Sequence, residues 1–432
     1  MRYDYLEEFQ PVIDRLQPQV CVPEEPRVQG YFTTPSHASL FTGVHPGDHK
    51  HTTPDPNKSP PISPELTTIG ELLSENMYKC SGLVSHTRIT PNYGYGRGFH
   101  RYELENKRPN SWMANKGSTR SLVNTLTRWI DEDVSATQNQ LFYFLHVFDP
   151  HPPFYPPLPI LNRTNFDFSS VEEYLADNSM SLSDEYYLDL LDEDKKMNSE
   201  LVSEIQSIYR DSVRYAARQL RHLFDHLATK GLLEDSFVVI TGDHGYEFGE
   251  RGFVGAKTLY DGNIRQGMIV KPPAGSDWTV PENADTIDIL PTVAKLIGEK
   301  PPNDCRGIPW QKKQDDHIDH RVTERVHPKS YNIAVEKEGV KAIYTYPPNS
   351  PDRPTDEQIN EGPLREEYYR LTDVRNGDYT DRGDKLTGSN RSDFLSIAES
   401  FMAKESPVDS VEITFERPSQ ETEEQLRQLG YR

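Results

Sequence analysis

The stretch Leu141-Phe142-Tyr143-Phe144-Leu145-His146-Val147-Phe148-Asp149-Pro150-His151-Pro152-Pro153-Phe154 decides the fold. It is a continuous apolar run of strand length that ends in polar residues and prolines. A buried parallel strand has this pattern when its carboxyl end opens into a cleft. In open α/β sheets that edge is where ligands bind. One histidine there reads as structural, whereas His146 and His151 flanking Asp149-Pro150 read as functional.

Working outward, Ser236-Phe237-Val238-Val239-Ile240-Thr241-Gly242-Asp243-His244-Gly245 is a β-branched run that passes straight into Asp-His-Gly. Taken alone, Asp-His-Gly is a plausible turn. At a strand tip, Asp243 offers a hard oxygen and His244 a borderline nitrogen, a pair suited to a divalent cation. Tyr31-Phe32-Thr33-Thr34-Pro35-Ser36-His37-Ala38-Ser39-Leu40-Phe41-Thr42-Gly43 reads as loop, helix start, short helix and glycine stop. Such a segment is a common way to start any helix. It also sets hydroxyls beside free backbone amides, where a tetrahedral anion could be held next to a nucleophile.

Composition bounds the reading. With 432 residues the chain can hold one large domain and a smaller one. Its 47 Lys and Arg against 68 Asp and Glu give a net charge of −21, dispersed along the chain. Nucleic acid and anionic membranes are disfavoured partners, because their binders need a basic face. Dispersed acidity also keeps salt-adapted proteins soluble, so a halophilic source is expected, and indifference of the folded state to salt would sink that expectation. No apolar run approaches the roughly 20 residues that span a bilayer, and no secretory leader is visible, so the expected location is cytoplasmic. Cys21, Cys80 and Cys305 are odd in number and widely spaced, which suits neither a disulfide framework nor a zinc site.

The remaining elements follow from periodicity. Leu6, Phe9, Val12, Ile13 and Leu16 share one helix face, and a short strand is expected at Val28. Val44 to Pro64 is a long loop whose His45, His49 and His51 are expected to be solvated rather than metal-bound. A helix over Thr67 to Met77, a strand over Tyr78 to Ser85, a helix over Leu122 to Ile130 and a long amphipathic helix over Ile205 to Thr229 come next. Asn162 to Ser199 reads as an inserted cap. Beyond Gln311, short β pieces at Tyr331 to Val335, Val340 to Tyr346 and Glu367 to Leu371 suggest a small antiparallel sheet, followed by an acidic helix over Thr422 to Tyr431.

Several of these segments together resemble the sulfatase family of the alkaline phosphatase superfamily. Thr33-x-Pro35-Ser36-His37 through Gly43 is similar to the nucleophile segment, Cys-x-Pro-Ser-Arg in type I sulfatases, whose cysteine becomes formylglycine. Here Thr33 holds the nucleophile position and His37 the arginine position, and no cysteine precedes a Pro-x-Arg. His146-x-x-Asp149-Pro150-His151-x-Pro153 resembles the family's His-x-x-Asp-Pro-His-x-Pro, and Asp243-His244-Gly245 its metal motif. Lys257-Thr258-Leu259-Tyr260-Asp261 resembles Lys-x-x-Leu-Tyr-(Asp/Glu). Asp288-Ile289-Leu290-Pro291-Thr292 resembles Asp-x-x-Pro-Thr.

The resemblance runs from about Met1 to Leu371 and implies an α/β fold. That fold is an alkaline-phosphatase-like sandwich around a mixed, largely parallel central sheet, with a smaller C-terminal α+β part. Residues 1–310 would be the catalytic domain, 311–400 the small subdomain and 401–432 an acidic tail. It implies Thr33, His37, His151 and Lys257 as catalytic residues, and Ser36 and His146 as substrate-binding residues. Asp243 and His244 would be ligands of one divalent ion, Ca, Mg or Mn. Met1-Arg2-Tyr3-Asp4-Tyr5-Leu6 resembles the end of the family's first motif, so the leading strand and its aspartate are expected upstream of Met1.

The implied activity is hydrolysis of a sulfate or phosphate ester on a small molecule or glycan. A plain threonine ester needs an acceptor to release it, so phosphodiesterase or phosphoryl-transfer chemistry on the same fold is the alternative. A non-catalytic relative is a further one.

Overall fold

The computed structural model describes residues 1–52, 60–105, 118–137, 139–151, 199–249, 254–256, 258–313, 319–372 and 388–408. Seven helices matter for the site: α1 Gln10–Leu16, α2 Thr33–Thr42, α3 Ile69–Glu75, α4 Thr119–Ala136, α5 Ser199–Thr229, α6 Ile289–Leu296 and α7 Gly388–Met402. The strands of the large part are β1 Lys79–Val84, β2 Arg101–Leu104, β3 Leu141–Leu145, β4 Val238–Thr241, β5 Glu247–Phe248, β6 Val254–Gly255 and β7 Met268–Lys271. The last four strands are β8 Arg321–His327, β9 Ser330–Lys337, β10 Val340–Tyr346 and β11 Arg365–Arg370.

β1 pairs in parallel with β2 and β3 on its two sides, and β4 pairs antiparallel with β7. β7 is flanked on the chain's amino-terminal side by a bridge to Cys21. Successive side chains of a strand point to opposite faces, and here they feed two separate cores. Leu83, Tyr143, Leu145, Val238, Ile240 and Ile269 meet the layer formed by α1, α4 and α5. Cys80, Val84, Phe142, Phe144, Val239, Met268 and Val270 meet α2, α3 and α6 on the other side. The result is an α/β sandwich with a mixed, largely parallel central layer.

α5 shows why this sequence makes a helix that packs. Ile205, Ile208, Val213, Ala217, Leu220 and Phe224 recur on one face and are buried, alongside Val12, Leu122, Leu126 and Trp129. Each fully buried Leu or Ile contributes about 1.5–3 kcal/mol. α5 ends at Lys230-Gly231, and Gly231 takes φ +70°, the left-handed stop that glycine adopts at least cost.

The order β11-β10-β9-β8 forms an antiparallel sheet with α7 on one face. Its other face, through Ala334, Ile343 and Tyr369, packs on Val28, Tyr31, Leu259, Tyr260 and Ile264. Within this interface Arg27 Nε donates to Glu336 Oε1 at 3.0 Å and Lys341 Nζ lies 2.9 Å from the same oxygen. Asp261 pairs with both cations. Burial alone would raise the Glu336 carboxyl, but Arg27, Lys341 and Arg321 hold it well below the usual range.

Three expectations change. The sequence pattern missed β8, whose polar Thr323, Glu324 and Arg325 are nevertheless buried because they are paired, Thr323 with Val28, Glu324 with Arg353 and Arg325 with Asn332 of the next strand. Val28 lies in no strand, and the chain there makes isolated bridges through Cys21 and Arg27 instead. His49 and His51 are buried rather than solvated. His49 Nε2 lies 3.1 Å from Ser39 Oγ and His51 Nδ1 meets Pro60 O, so backbone and hydroxyl partners replace water. The expected cap over 162–199, all but Ser199 at the start of α5, and the tail helix over 422–431 fall outside the described residues.

Candidate active site

The site forms where the carboxyl ends of β1, β3 and β4 meet the start of α2. The chain reaches α2 through Gly30, where an added Cβ would sit 2.8 Å from Ser36 N, so only glycine lets the approach fold against the helix start. Phe32 is the extended residue before the helix and its side chain makes no capping bond. Thr33 is thus the first helical residue. Gly43 closes the helix at φ +71°, its N–H donating to Ser39 O at 2.8 Å.

Hydrogen bonds on one ring nitrogen fix what the other can do. His244 Nδ1 lies 2.8 Å from Gly245 O, so it carries the proton and leaves Nε2 with a lone pair. That Nε2 is 3.3 Å from Thr33 Oγ1. Phe32 stacks on the His244 ring at 5.9 Å and 8°, holding its plane. His37, one turn along α2, donates from Nδ1 to Thr33 O at 2.8 Å, which frees its Nε2. His146 Nδ1 lies 3.2 Å from Ser85 Oγ, and that hydroxyl donates its hydrogen to His146 O at 2.9 Å. His146 Nδ1 must therefore be the donor, and its Nε2 is free as well.

His37, His146 and Asp243 form a candidate metal group, one ligand atom from each lying within 4.8 Å of the others. The residues fit an ion on the chemistry of their donors: histidine ligands commonly donate the far ring N–H to a carbonyl or hydroxyl, as both do here. Burial pushes His37 below its ordinary value against the opposing pull of Asp243, and pushes His146 down to about 3. Burial alone would raise Asp243, but His244, His37 and the Met1 ammonium outweigh it and hold the carboxyl well below its usual range. Neutral imidazoles beside an ionised carboxylate are the protonation state that ligates metal.

The other expected residues spread around this centre. Asp243 Oδ1 accepts from His244 N at 3.0 Å. His151 stacks on Phe148 at 4.1 Å, lies 6.2 Å from His86 and lines a cavity of about 830 Å3 together with Thr33, His37, His146, Asp243 and His244. Asp149, central to the Asp-Pro-His pattern, accepts from Thr119 N at 2.6 Å and so ties the strand tip to the start of α4. Ser36 is buried and its Oγ has no hydrogen-bond partner among the described residues. Lys257 lies outside the described residues. Sequence reasoning missed Ser85 and His86. Their signal was available, since polar residues ending an apolar strand mark the same sheet edge that identified His146.

Known proteins share this fold. The chain is similar over 91% of its length to the phosphonate monoester hydrolase of Agrobacterium radiobacter, with 90% of that chain covered, 15% identity and a TM-score of 0.67. A phosphonate monoester hydrolase from Silicibacter pomeroyi matches with 93% of this chain and 92% of that one covered, 15% identity and a TM-score of 0.65. A protein solved in complex with its substrate D-glucosamine-2-N,6-O-disulfate matches over 90% of this chain and 92% of its own, at 15% identity and a TM-score of 0.66. These likenesses speak to the fold. The family description Sulfatase matches residues 10–299, about two thirds of the sequence, and the chain belongs to the sulfatase family of ester hydrolases.

Proposed function

We propose that the protein is a divalent-metal-dependent hydrolase of a sulfate or phosphate-type ester, phosphonates included, carried by a small molecule or glycan, with the Thr33 hydroxyl as nucleophile. One observation carries the reading: Thr33 Oγ1 lies 3.3 Å from the lone-pair nitrogen of His244, beside the His37, His146 and Asp243 group. The neighbours support the substrate range, one bearing its glucosamine disulfate and two being phosphonate monoester hydrolases.

His37, His146 and an Asp243 oxygen would hold the ion. Two imidazoles and one carboxylate favour a borderline ion such as Mn2+ or Zn2+ over Ca2+ or Mg2+. Bound there, the ion supplies polarisation of an ester oxygen and a lower pKa for the attacking hydroxyl. His244 Nε2 takes the proton from Thr33 Oγ1 as that oxygen bonds to sulfur or phosphorus and the bond to the leaving oxygen breaks. His151, which lines the same cavity, would protonate the leaving oxygen. Water, giving a proton to the His151 that protonated the leaving oxygen, then attacks the threonine ester, and His244 returns its proton to Oγ1 as that bond breaks. An alcohol in place of water turns the hydrolase into a transferase.

The test is Thr33→Ala measured on aryl sulfate, phosphate and phosphonate esters after loading with Mn2+ or Zn2+. Turnover should fall by at least about a thousandfold, while bound metal per chain stays at the unsubstituted level. Undiminished turnover in this variant overturns the assignment of Thr33.

A further inference from the structure

Thr33 and His244 stand 211 positions apart in the sequence, yet Thr33 Oγ1 and His244 Nε2 lie 3.3 Å from each other. Proton transfer between two such groups depends on that separation, and a displacement of about 1 Å costs about a hundredfold in rate. Asn263, in the one-turn helix Asp261–Ile264, is wholly buried and is hydrogen-bonded to the segment that carries each of them.

Its side chain holds the nucleophile's segment. The Asn263 amide has two N–H hydrogens and meets two backbone carbonyls, Tyr31 O at 3.0 Å and Thr258 O at 2.8 Å. Carbonyl oxygens only accept, so the amide nitrogen must face them. Val28 N donates to Ile264 O at 3.0 Å, so the approach to α2 is tied at Val28 and again at Tyr31 to the same short helix. Phe32, between Tyr31 and Thr33, is the residue whose ring stacks on His244. The remaining atom, Asn263 Oδ1, is buried with no hydrogen-bond partner among the described residues. A side chain needed only for packing would do better without that oxygen, so what Asn263 supplies is its two donors.

The backbone of the same turn holds the base. Asn263 O accepts from Gly245 N at 2.6 Å and Gly262 O accepts from Tyr246 N at 3.0 Å, which fixes the peptide on each side of Gly245. The second of these peptides carries Gly245 O, the acceptor that keeps the proton on His244 Nδ1 and leaves Nε2 for Thr33. An added Cβ on Gly245 would lie 2.2 Å from Gly262 O, so the two loops come this close only with glycine there. The turn is in turn anchored to the four-stranded sheet. Asn263 N donates to Tyr260 O at 2.9 Å, Tyr260 Oη to Glu367 Oε2 at 2.7 Å and Lys341 Nζ to Leu259 O at 3.3 Å.

We propose that Asn263 is a positioning residue for the reaction: bonded to Tyr31 O through its amide and to Gly245 N through its carbonyl, it sets Thr33 Oγ1 within reach of His244 Nε2. The inference rests on the roles given above to Thr33 and His244, and adds the brace that holds them together. Asn263 acts through these two residues and not on the ester itself.

The test is Asn263→Leu, which keeps the branched shape and deletes both donors. Should that variant fail to fold, Asn263→Ser carries the same comparison, because its one hydroxyl hydrogen can serve only one of the two carbonyls. On aryl sulfate and phosphonate esters kcat should fall by about a hundredfold while KM stays within about twofold. Hydrogen exchange supplies a readout that needs no turnover. The amide of Ser36, which donates to Phe32 O at 3.1 Å, should exchange at least about tenfold faster, and the amides of β9 should keep their rates. A merely structural role would accelerate exchange at Ser36 and in β9 alike, and that result overturns the proposal. So does a kcat within about twofold of the unsubstituted chain. Full turnover in Thr33→Ala would remove the nucleophile assignment and this inference with it, whereas an inactive Thr33→Ala beside a fully active Asn263→Leu would remove this inference alone.

Discussion

In the four-stranded sheet, β9 is bonded on both edges and buried from Tyr331 to Glu336, whereas β3, the more apolar run, is bonded on one edge among the described residues and half-buried along its length. The side chains alone would bury β3 more deeply than β9. What differs is the neighbours that the tertiary structure supplies. Around β9 even charged groups are enclosed, because Glu336 meets Arg27, Arg321 and Lys341. Beside β3 apolar side chains line an open cavity, and the candidate catalytic groups stand at its end. The closed sheet anchors the segments Arg27 to Tyr31 and Leu259 to Ile264 that lead into the site, and the open edge carries the chemistry.

That contrast can be broken from either end. The largest effect is expected at the open edge: Asp243→Asn removes the anionic ligand from the His37 and His146 pair, and turnover should fall by at least about a thousandfold with bound metal lost. The melting temperature should move little, and retained metal stoichiometry would show that these three residues are not the ligand set.

At the closed sheet, Glu336→Gln takes from the buried Arg27 and Lys341 one of the two carboxylates they share, leaving Asp261. Stability should drop by about 3–5 kcal/mol in denaturant titration. A loss below about 1 kcal/mol would mean that the cluster is solvated and the contrast overstated.

Acid should act next. Burial holds His49 and His51 near 3, so both are neutral in the folded protein, while in the unfolded chain they titrate near 6.5. Below 6.5 the unfolded state binds protons that the folded state does not, so stability present at neutral pH is lost as pH falls. By pH 5 each histidine accounts for about 2 kcal/mol. Urea midpoints at pH 8 and pH 5 read the loss, and replacing His49 with Gln should reduce the difference between them. An unchanged difference would assign acid sensitivity elsewhere.

The smallest effect concerns β1, the packed neighbour of β3. Burial pushes the Cys80 thiol up to about 12, and the Cys305 thiol as well. Neither should react measurably with an alkylating reagent at pH 8 under native conditions. Rapid labelling of Cys80 would show that the open edge loosens the whole parallel sheet.

Much of this was legible because the relevant signals are local. The apolar run ending in His146, the run ending in Asp243-His244 and the helix start at Thr33 each carry their element and their functional end within about a dozen residues. β8 was not legible, because Glu324 is buried by partners that are distant in sequence, Arg353 and Gly47. The histidines of the 44–64 loop were misread for the same reason. Nothing within that loop announces that Ser39 and Pro35 will enclose His49.

The sequence by itself determined the element order, the α/β layering and the strand tips where chemistry gathers, since periodicity and turn residues act over a few positions. Tertiary structure alone decided which nitrogen of each histidine is free, because that depends on Thr33 O, Ser85 Oγ and Gly245 O lying within hydrogen-bond reach. It alone set His244 toward Thr33 and grouped His37 and His146 with Asp243, although the sequence pattern pairs Asp243 with His244 as ligands. It alone left β3 and β4 apart in one layer. Adjacency in sequence fixes which residues share an element, and only the packing of elements fixes which atoms come within a few ångströms of each other.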